Sequence, residues 1–246
     1  MASAPHGFIA PLPPIPCYRR FPSSAVSMVA SLSPRTAIAE IQKSGVIACL
    51  RADNGTLAME AARAALEGGV SVLEVMMPTP DVLMVIEALQ LEFPFSIIGA
   101  GTVLNTDDAR KAVIAGAKFL TSPATVMEIL REVEGSEVLY VPGVMTPTEV
   151  LCAYDAGSKM VKVYPATILG GAKYISALKR PFPHIPMLAS QGISIDSVGP
   201  YLDAGTAAVV LSDAIFDREA MRRGDFNAIS KLASLAISEA AQAGRN

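Results

Sequence analysis

The chain has 246 residues, of which 51% are hydrophobic and 17% charged, and its formal net charge is −3. A chain of this length can build one large core, as α/β barrels do, and its lack of tryptophan and of any basic run argues against nucleic-acid binding. No stretch of 18 consecutive apolar residues occurs, so we expect no membrane-spanning helix and no membrane partner.

The first segment has the composition of a targeting leader. Glu40 is the first acidic residue, and three arginines and many serine and proline residues lie before it. A serine-rich segment that contains arginine, lacks acids and has no continuous apolar core is typical of an organelle transit peptide rather than a secretory signal. We predict a disordered leader over residues 1–36, cleaved near residues 28–36, and a chloroplast location, with a cytoplasmic chain as the alternative.

After the leader, short β-type runs alternate with amphipathic segments. The runs predict eight strands, at residues 46–50, 70–75, 96–99, 118–121, 138–141, 160–164, 186–189 and 207–211. Helices are predicted at residues 56–67, 80–91, 106–115, 125–133 and 148–156, and glycines end several of them. Eight strands alternating with helices favour a single-domain α/β fold, a (β/α)₈ TIM barrel over residues 37–246. An open, doubly wound sheet of six or seven units is the alternative.

Neither disulfide nor metal chemistry is indicated. The cysteines Cys17, Cys49 and Cys152 have no C-x-x-C spacing, and the only histidines are His6 and His184. We therefore expect no metal site and no cofactor, and we interpret the thiols as structural or incidental.

Lys162 interrupts the apolar run at residues 160–164. An ammonium group on a buried strand must pair with an anion, extend to the surface or lose its proton, because burying an unpaired charge is costly. A neutral lysine amine is a nucleophile that forms Schiff bases with carbonyl compounds. This residue is therefore the candidate catalytic lysine.

Other polar residues fall at the carboxyl ends of predicted strands, where the active sites of (β/α)₈ barrels lie. With the lysine, they are Arg51, Glu74, Thr102, Ser122, Lys162, Ser190, Gln191, Gly192 and Ser212. A carboxylate, a guanidinium and an amine cannot all remain unpaired in one apolar core. We expect them to share a cavity.

Each of these residues also has a purely structural interpretation. Lys162 could extend out of a strand end, and Glu74 could form a buried ion pair with Lys162 or Arg51. Arg51 could be a surface residue, and Ser212 could cap the helix that follows it.

Seven short motifs follow one another from about Ser44 to the C-terminus. They are EGGV (67–70), LEV (73–75), GAGTVLN (99–105), SP (122–123), VPG (141–143), KVYPA (162–166) and GG (170–171). In this order they resemble the class I 2-keto-3-deoxy-6-phosphogluconate (KDPG) and 4-hydroxy-2-oxoglutarate aldolases. The resemblance implies a (β/α)₈ barrel that assembles as a homotrimer. By the same resemblance Lys162 forms the imine, Glu74 is the acid/base, and Thr102 and Pro123 line the keto-acid pocket.

One departure from the family pattern concerns the anion-binding arginine. The best-known members carry an arginine four positions after the catalytic glutamate, where this chain has Pro78. Members that act on the galactonate sugar instead have an arginine at the end of the first strand, as Arg51 is here. We predict that Arg51 holds the substrate carboxylate.

A second departure concerns the two phosphate loops. Gln191 and Leu211 replace glycines that let a phosphate approach the backbone, so we expect weaker phosphate binding. Ser190, Gly192 and Ser212 remain as predicted substrate-binding donors.

The predicted function is a class I aldolase that cleaves a 2-keto-3-deoxy sugar acid, such as KDPG, to pyruvate and glyceraldehyde 3-phosphate. The first alternative is a 4-hydroxy-2-oxoglutarate aldolase that gives pyruvate and glyoxylate. The others are a barrel isomerase or lyase that uses the same lysine and glutamate without an imine, and a non-catalytic metabolite-binding barrel.

Overall fold

The computed structural model describes residues 33–243. All but the last four residues of the predicted leader, 1–36, lie outside the described residues. The strands are β1 (Val46–Leu50), β2 (Val72–Met76), β3 (Ile97–Gly101), β4 (Phe119–Thr121), β5 (Leu139–Val141), β6 (Gly143–Val144), β7 (Val161–Val163), β8 (Met187–Ser190) and β9 (Ala208–Leu211). The helices are α1 (Pro34–Ser44), α2 (Gly55–Glu67), α3 (Val82–Glu92), α4 (Thr106–Ile114), α5 (Met127–Glu132), α6 (Pro147–Asp155), α7 (Gly171–Lys179), α8 (Val198–Asp203), α9 (Arg218–Arg223) and α10 (Phe226–Ala243).

The strands form one parallel sheet that closes almost completely into a barrel. Their order is β5-β4-β3-β2-β1-β9-β8-β7-β6. β5 and β6 belong to one segment, which Pro142 interrupts because proline has no N–H to donate to the ladder. β5 pairs with β4 and β6 pairs with β7, so this segment joins the two ends of the sheet. The predicted (β/α)₈ barrel is confirmed, and an open doubly wound sheet is excluded.

Side-chain caps fix where several helices begin. Asn54, Asn105 and Thr146 each accept a hydrogen bond from a backbone N–H three residues further on. Glu149 completes a capping box with Thr146. The loops after β1, β3 and β6 therefore end at these capping residues. None of the helices between residues 33 and 243 is long and apolar enough to cross a bilayer.

Alternation along the strands separates two hydrophobic cores. The larger lies between the strands and the outer helices and includes Val161 and Val163 of β7. The smaller fills the barrel interior and includes Met160. Ala37 and Ile41 of α1 join this interior core, so α1 closes the end of the barrel where the strands begin. Because Lys162 lies between two outward-facing valines, its side chain points into the barrel.

Candidate active site

A cavity of about 450 Å³ lies at the carboxyl ends of the strands. Seven of the eight predicted site residues line it, namely Glu74, Thr102, Pro123, Lys162, Ser190, Gly192 and Ser212. The other lining residues are Cys49, Met76, Tyr164, Gln191, Ile193, Val210, Asp213 and Ala214. Barrel closure thus brings together side chains that are more than a hundred positions apart in the chain.

Lys162 is buried, with 5% of its surface exposed. Its backbone N–H donates to the carbonyl of Pro142 at 2.8 Å, on one side of β7, while β8 pairs with the other. The side-chain Nζ donates to Thr121 Oγ1 at 2.8 Å. The side chain therefore does not extend to the surface, and that structural interpretation of Lys162 is wrong.

Glu74 is the buried carboxylate of the site, with 2% of its surface exposed. Its Oε1 accepts a hydrogen bond from Cys49 Sγ at 3.4 Å. Its Oε2 is buried and has no hydrogen-bond partner, and within the described residues Glu74 forms no ion pair. A structural ion pair with Lys162 or Arg51 is therefore absent from residues 33–243, and Oε2 is free to exchange a proton with a substrate.

Cys49 is the cross-strand neighbour of Glu74 and faces the same cavity. Burial is the main reason that the pKa of the Cys49 thiol is raised well above its usual value, and the Glu74 carboxylate raises it further. The group therefore remains a thiol and can donate its S–H to the carboxylate. The sequence analysis interpreted Cys49 as a structural or incidental thiol, and its contact with Glu74 was not predicted.

Gly101 leaves the space that the Glu74 carboxylate occupies. A Cβ built at Gly101 would overlap Glu74 Oε1 and come within 2.5 Å of its carboxyl carbon. The side chain of Glu74 therefore lies over the last residue of β3, where only glycine fits. This close approach gives the glycine of the GAGTVLN motif a physical reason.

We expect Gly101→Ala to lower kcat by about 10- to 1,000-fold, because the added methyl group displaces the acid/base from its position. Steady-state kinetics on the purified variant measure the effect. Gly199→Ala is the matched control, because its Cβ would meet only ordinary contact, 3.9 Å from Ala243 Cβ. A Gly101→Ala enzyme as active as the control would show that the position of Glu74 does not matter.

The loop after β8 keeps a glycine-like backbone at Gln191. Its φ is 85°, in the left-handed region, and its carbonyl accepts a hydrogen bond from Thr167 Oγ1 at 2.8 Å. The side chain is exposed and lines the cavity. Leu211 behaves differently, since it is fully buried among the outer core residues. The Leu211 side chain therefore points away from the cavity and cannot block the approach of a phosphate to the backbone there, so this expectation is wrong for Leu211. For Gln191 it stays a prediction.

Ser122, which was also expected to share the cavity, is buried but does not line it. Among the residues predicted to act in catalysis or to bind substrate, Arg51 is the one that does not line the cavity. It is exposed and directly follows β1, and Pro78 is also exposed. Besides Glu74 and Lys162, the charged residue that lines the cavity is Asp213, whose carboxylate pairs with Arg218 at 3.0 Å. Within residues 33–243 no three histidine, cysteine or acidic side chains are grouped so as to hold a metal ion.

The sequence is similar to those of known aldolases. A family profile described as "KDPG and KHG aldolase" matches residues 37–232. The KHG/KDPG aldolase of Escherichia coli strain K12 is 33% identical over 180 residues, which cover 73% of this chain and 84% of that protein. The 2-dehydro-3-deoxy-phosphogluconate aldolase of Pseudoalteromonas atlantica is 34% identical over 184 residues, which cover 75% of this chain and 86% of that protein.

A solved structure with a similar fold is the KDPG aldolase of Legionella pneumophila. It superposes with a TM-score of 0.75 at 30% identity, covering 82% of this chain and 97% of that one. Its crystal holds pyruvate captured at low pH as a covalent carbinolamine intermediate.

Proposed function

The chain belongs to the KDPG and KHG aldolase family and is an aldehyde-lyase, and from this premise we propose that it cleaves a 2-keto-3-deoxy sugar acid through an imine on Lys162. The observation that carries the proposal is the buried lysine, which shares one cavity with the unpartnered carboxylate oxygen of Glu74. A nucleophilic amine and a group that moves protons are what an imine-forming aldol cleavage requires. The carbinolamine of the Legionella enzyme is the first covalent intermediate of this route.

The first half of the reaction builds an electron acceptor. The free amine of Lys162 attacks the C2 ketone, and the new C–N bond gives a carbinolamine. Glu74 then donates a proton to the C2 hydroxyl, which leaves as water, so that a protonated imine and the Glu74 carboxylate remain. The positive nitrogen accepts electrons from the neighbouring carbon, so a carbanion at C3 becomes an enamine.

Glu74 moves the protons of the second half. Its carboxylate takes the proton of the C4 hydroxyl as the C3–C4 bond breaks, which releases the aldehyde and leaves the enamine on Lys162. The same carboxylic acid returns the proton to C3. Water then hydrolyses the imine, which releases pyruvate and restores the amine.

We propose KDPG as the substrate, with glyceraldehyde 3-phosphate as the aldehyde product. The alternative, 4-hydroxy-2-oxoglutarate, gives glyoxylate, and the names of the relatives include both compounds. Among the cavity-lining residues, Ser190, Gly192 and Ser212 can donate hydrogen bonds to a phosphate, and the Asp213 carboxylate also lines the cavity. Among the described residues that line the cavity, the one basic side chain is Lys162, and the reaction uses it as the nucleophile. We therefore expect the phosphate to add less binding energy than a pocket with its own arginine or lysine would give.

Pyruvate release from both compounds tests this proposal. We expect turnover of both, and Gln191→Gly should raise kcat/KM for KDPG about 3- to 30-fold, because a backbone amide then approaches the phosphate more closely. The value for 4-hydroxy-2-oxoglutarate should change little. Asp81→Gly is the control, since Asp81 also has a positive φ, 59°, but does not line the cavity. Release of pyruvate from neither compound would refute the proposed function.

Arg51 is our proposed carboxylate-binding residue. We expect Arg51→Ala to lower kcat/KM for both compounds about 30- to 150-fold, mainly through KM, because a charge-assisted bidentate contact contributes about 2 to 3 kcal/mol. Arg110→Ala, which removes an exposed guanidinium paired with Glu132, is the control. A loss smaller than threefold would mean that the exposed Arg51 does not reach the substrate.

We propose that the enzyme is a homotrimer. Three exposed apolar side chains support self-association: Leu91 and Ile114 lie near the ends of α3 and α4, and Phe95, which is fully exposed, follows α3. α3 and α4 are neighbouring helices, and exposed apolar side chains on adjacent elements are typical of surfaces that bind another chain. Light scattering should give the mass of a trimer for the wild type and a lower mass for Phe95→Glu, with Leu235→Glu on α10 as the control. A monomeric wild type would exclude the assembly.

We also propose that residues 1–36 direct the protein to the chloroplast, on the composition of that segment. Fusion of residues 1–36 to a fluorescent protein should place the fluorescence in plastids, and the same fusion without the segment should remain in the cytoplasm. Cytoplasmic fluorescence from both fusions would support the alternative location.

A further inference from the structure

Thr121 is a buried polar residue whose role the proposed reaction does not yet explain. It is the last residue of β4 and has no exposed surface. Phe119, two residues earlier, belongs to the core inside the barrel, so alternation points Thr121 inward as well. A hydroxyl group in such a position is costly unless it forms a hydrogen bond.

The bond that Thr121 forms is with the candidate nucleophile. Its Oγ1 accepts a hydrogen bond from Lys162 Nζ at 2.8 Å, between residues 41 positions apart. Among the side-chain bonds and ion pairs of residues 33–243, this is the one that holds Nζ. Thr121 is not among the cavity-lining residues, so it holds the lysine from behind rather than from the substrate side.

The strand order gives this bond a direction. Starting from β7, the sheet continues through the interrupted β6-β5 segment to β4, then β3, and then to β2, which carries Glu74. β4 therefore lies midway between the strand of the lysine and the strand of the acid/base. The hydrogen bond therefore turns Nζ toward the β4 side of the barrel interior.

We infer that Thr121 is a positioning residue, whose hydroxyl holds the Lys162 amine in the orientation that attacks the keto carbon. A free lysine side chain has many rotamers, and only some of them direct Nζ at a bound carbonyl group. Restricting the amine to one of them speeds formation of the carbinolamine without contributing to substrate binding. The inference rests on the proposed imine mechanism.

Three variants test the role. Thr121→Val keeps the shape and removes the hydroxyl, Thr121→Ser keeps the hydroxyl, and Thr121→Ala is a second variant without it. Thr206→Val is the matched control, because Thr206, like Thr121, is a buried threonine that does not line the cavity. Its hydroxyl donates a hydrogen bond to the backbone carbonyl of Tyr201. The readouts are the rate at which borohydride inactivates the enzyme at saturating pyruvate, kcat and KM for cleavage, and the melting temperature.

We expect Thr121→Val and Thr121→Ala to form the imine about 3- to 30-fold more slowly, with kcat reduced in parallel and KM changed less than twofold. Thr121→Ser should restore the rate to within about threefold of wild type, and Thr206→Val should leave it unchanged. A lower melting temperature with an unchanged rate of inactivation, or a serine variant as slow as the valine variant, would overturn the positioning role. If pyruvate and borohydride do not inactivate the wild type, the proposed imine mechanism fails. If they inactivate the wild type and Thr121→Val at the same rate, only the positioning role of Thr121 fails.

Discussion

Lys162→Arg is expected to lose turnover by more than about 10⁴-fold, because a guanidinium stays protonated, cannot form an imine and so closes the covalent route. Arginine has a similar length and carries a positive charge, so the loss cannot come from a missing cation in the cavity. Pyruvate release from both candidate substrates, followed continuously, measures the effect.

Lys159→Arg is the control for this change, because Lys159 is exposed and lies three residues away on the same segment. It should keep wild-type activity and the same melting temperature. A Lys162→Arg enzyme within tenfold of wild type would show that the lysine serves only structure or charge.

Glu74→Gln is expected to lower kcat by about 10² to 10⁴, the usual contribution of a positioned acid/base group. Glutamine has the same shape and can keep the contact with Cys49, but it cannot take the C4 hydroxyl proton. Pyruvate should still be trapped on the variant, although slowly, since the nucleophile is intact. Steady-state kinetics and the rate of trapping separate the two steps.

Glu87→Gln is the control for Glu74→Gln, because Glu87 is an exposed glutamate on α3. If Glu74→Gln turns over within a few-fold of this control, Glu74 has a structural role and another group moves the protons. Gly101→Ala, which displaces the carboxylate without removing it, should then also be nearly harmless.

The barrel could be predicted from the sequence because parallel strands that are buried on both faces appear as continuous apolar runs, and glycines end the helices between them. The prediction of a strand at 138–141 ends where β5 ends, but the two residues of β6 were not foreseen. These two residues, which follow Pro142, pair with β7. This pairing depends on closure of the barrel, which the local sequence pattern does not show. Residues 34–36, which were predicted to belong to the leader, lie in α1. This was not foreseen because α1 packs against the end of the barrel, which exists only in the folded chain.

The site was predicted in outline because strand ends carry the functional residues of a barrel. The contacts of Lys162 with Thr121 and of Glu74 with Cys49 were missed, because they join residues 41 and 25 positions apart whose neighbourhood exists only in the closed barrel. Leu211 was misjudged for a different reason. Alternation with Val210, which lines the cavity, would have placed it on the outer face, but a position-by-position comparison ignores alternation.

Reductive trapping tests most directly whether pyruvate forms an imine with Lys162. The purified chain is incubated with pyruvate and sodium borohydride, and the modified residue is located by mass analysis of its peptides. We expect one reduced pyruvyl group per chain, on the peptide that contains Lys162, and none in Lys162→Arg. Modification at Lys159 or Lys173, or no modification at saturating pyruvate, would contradict this expectation.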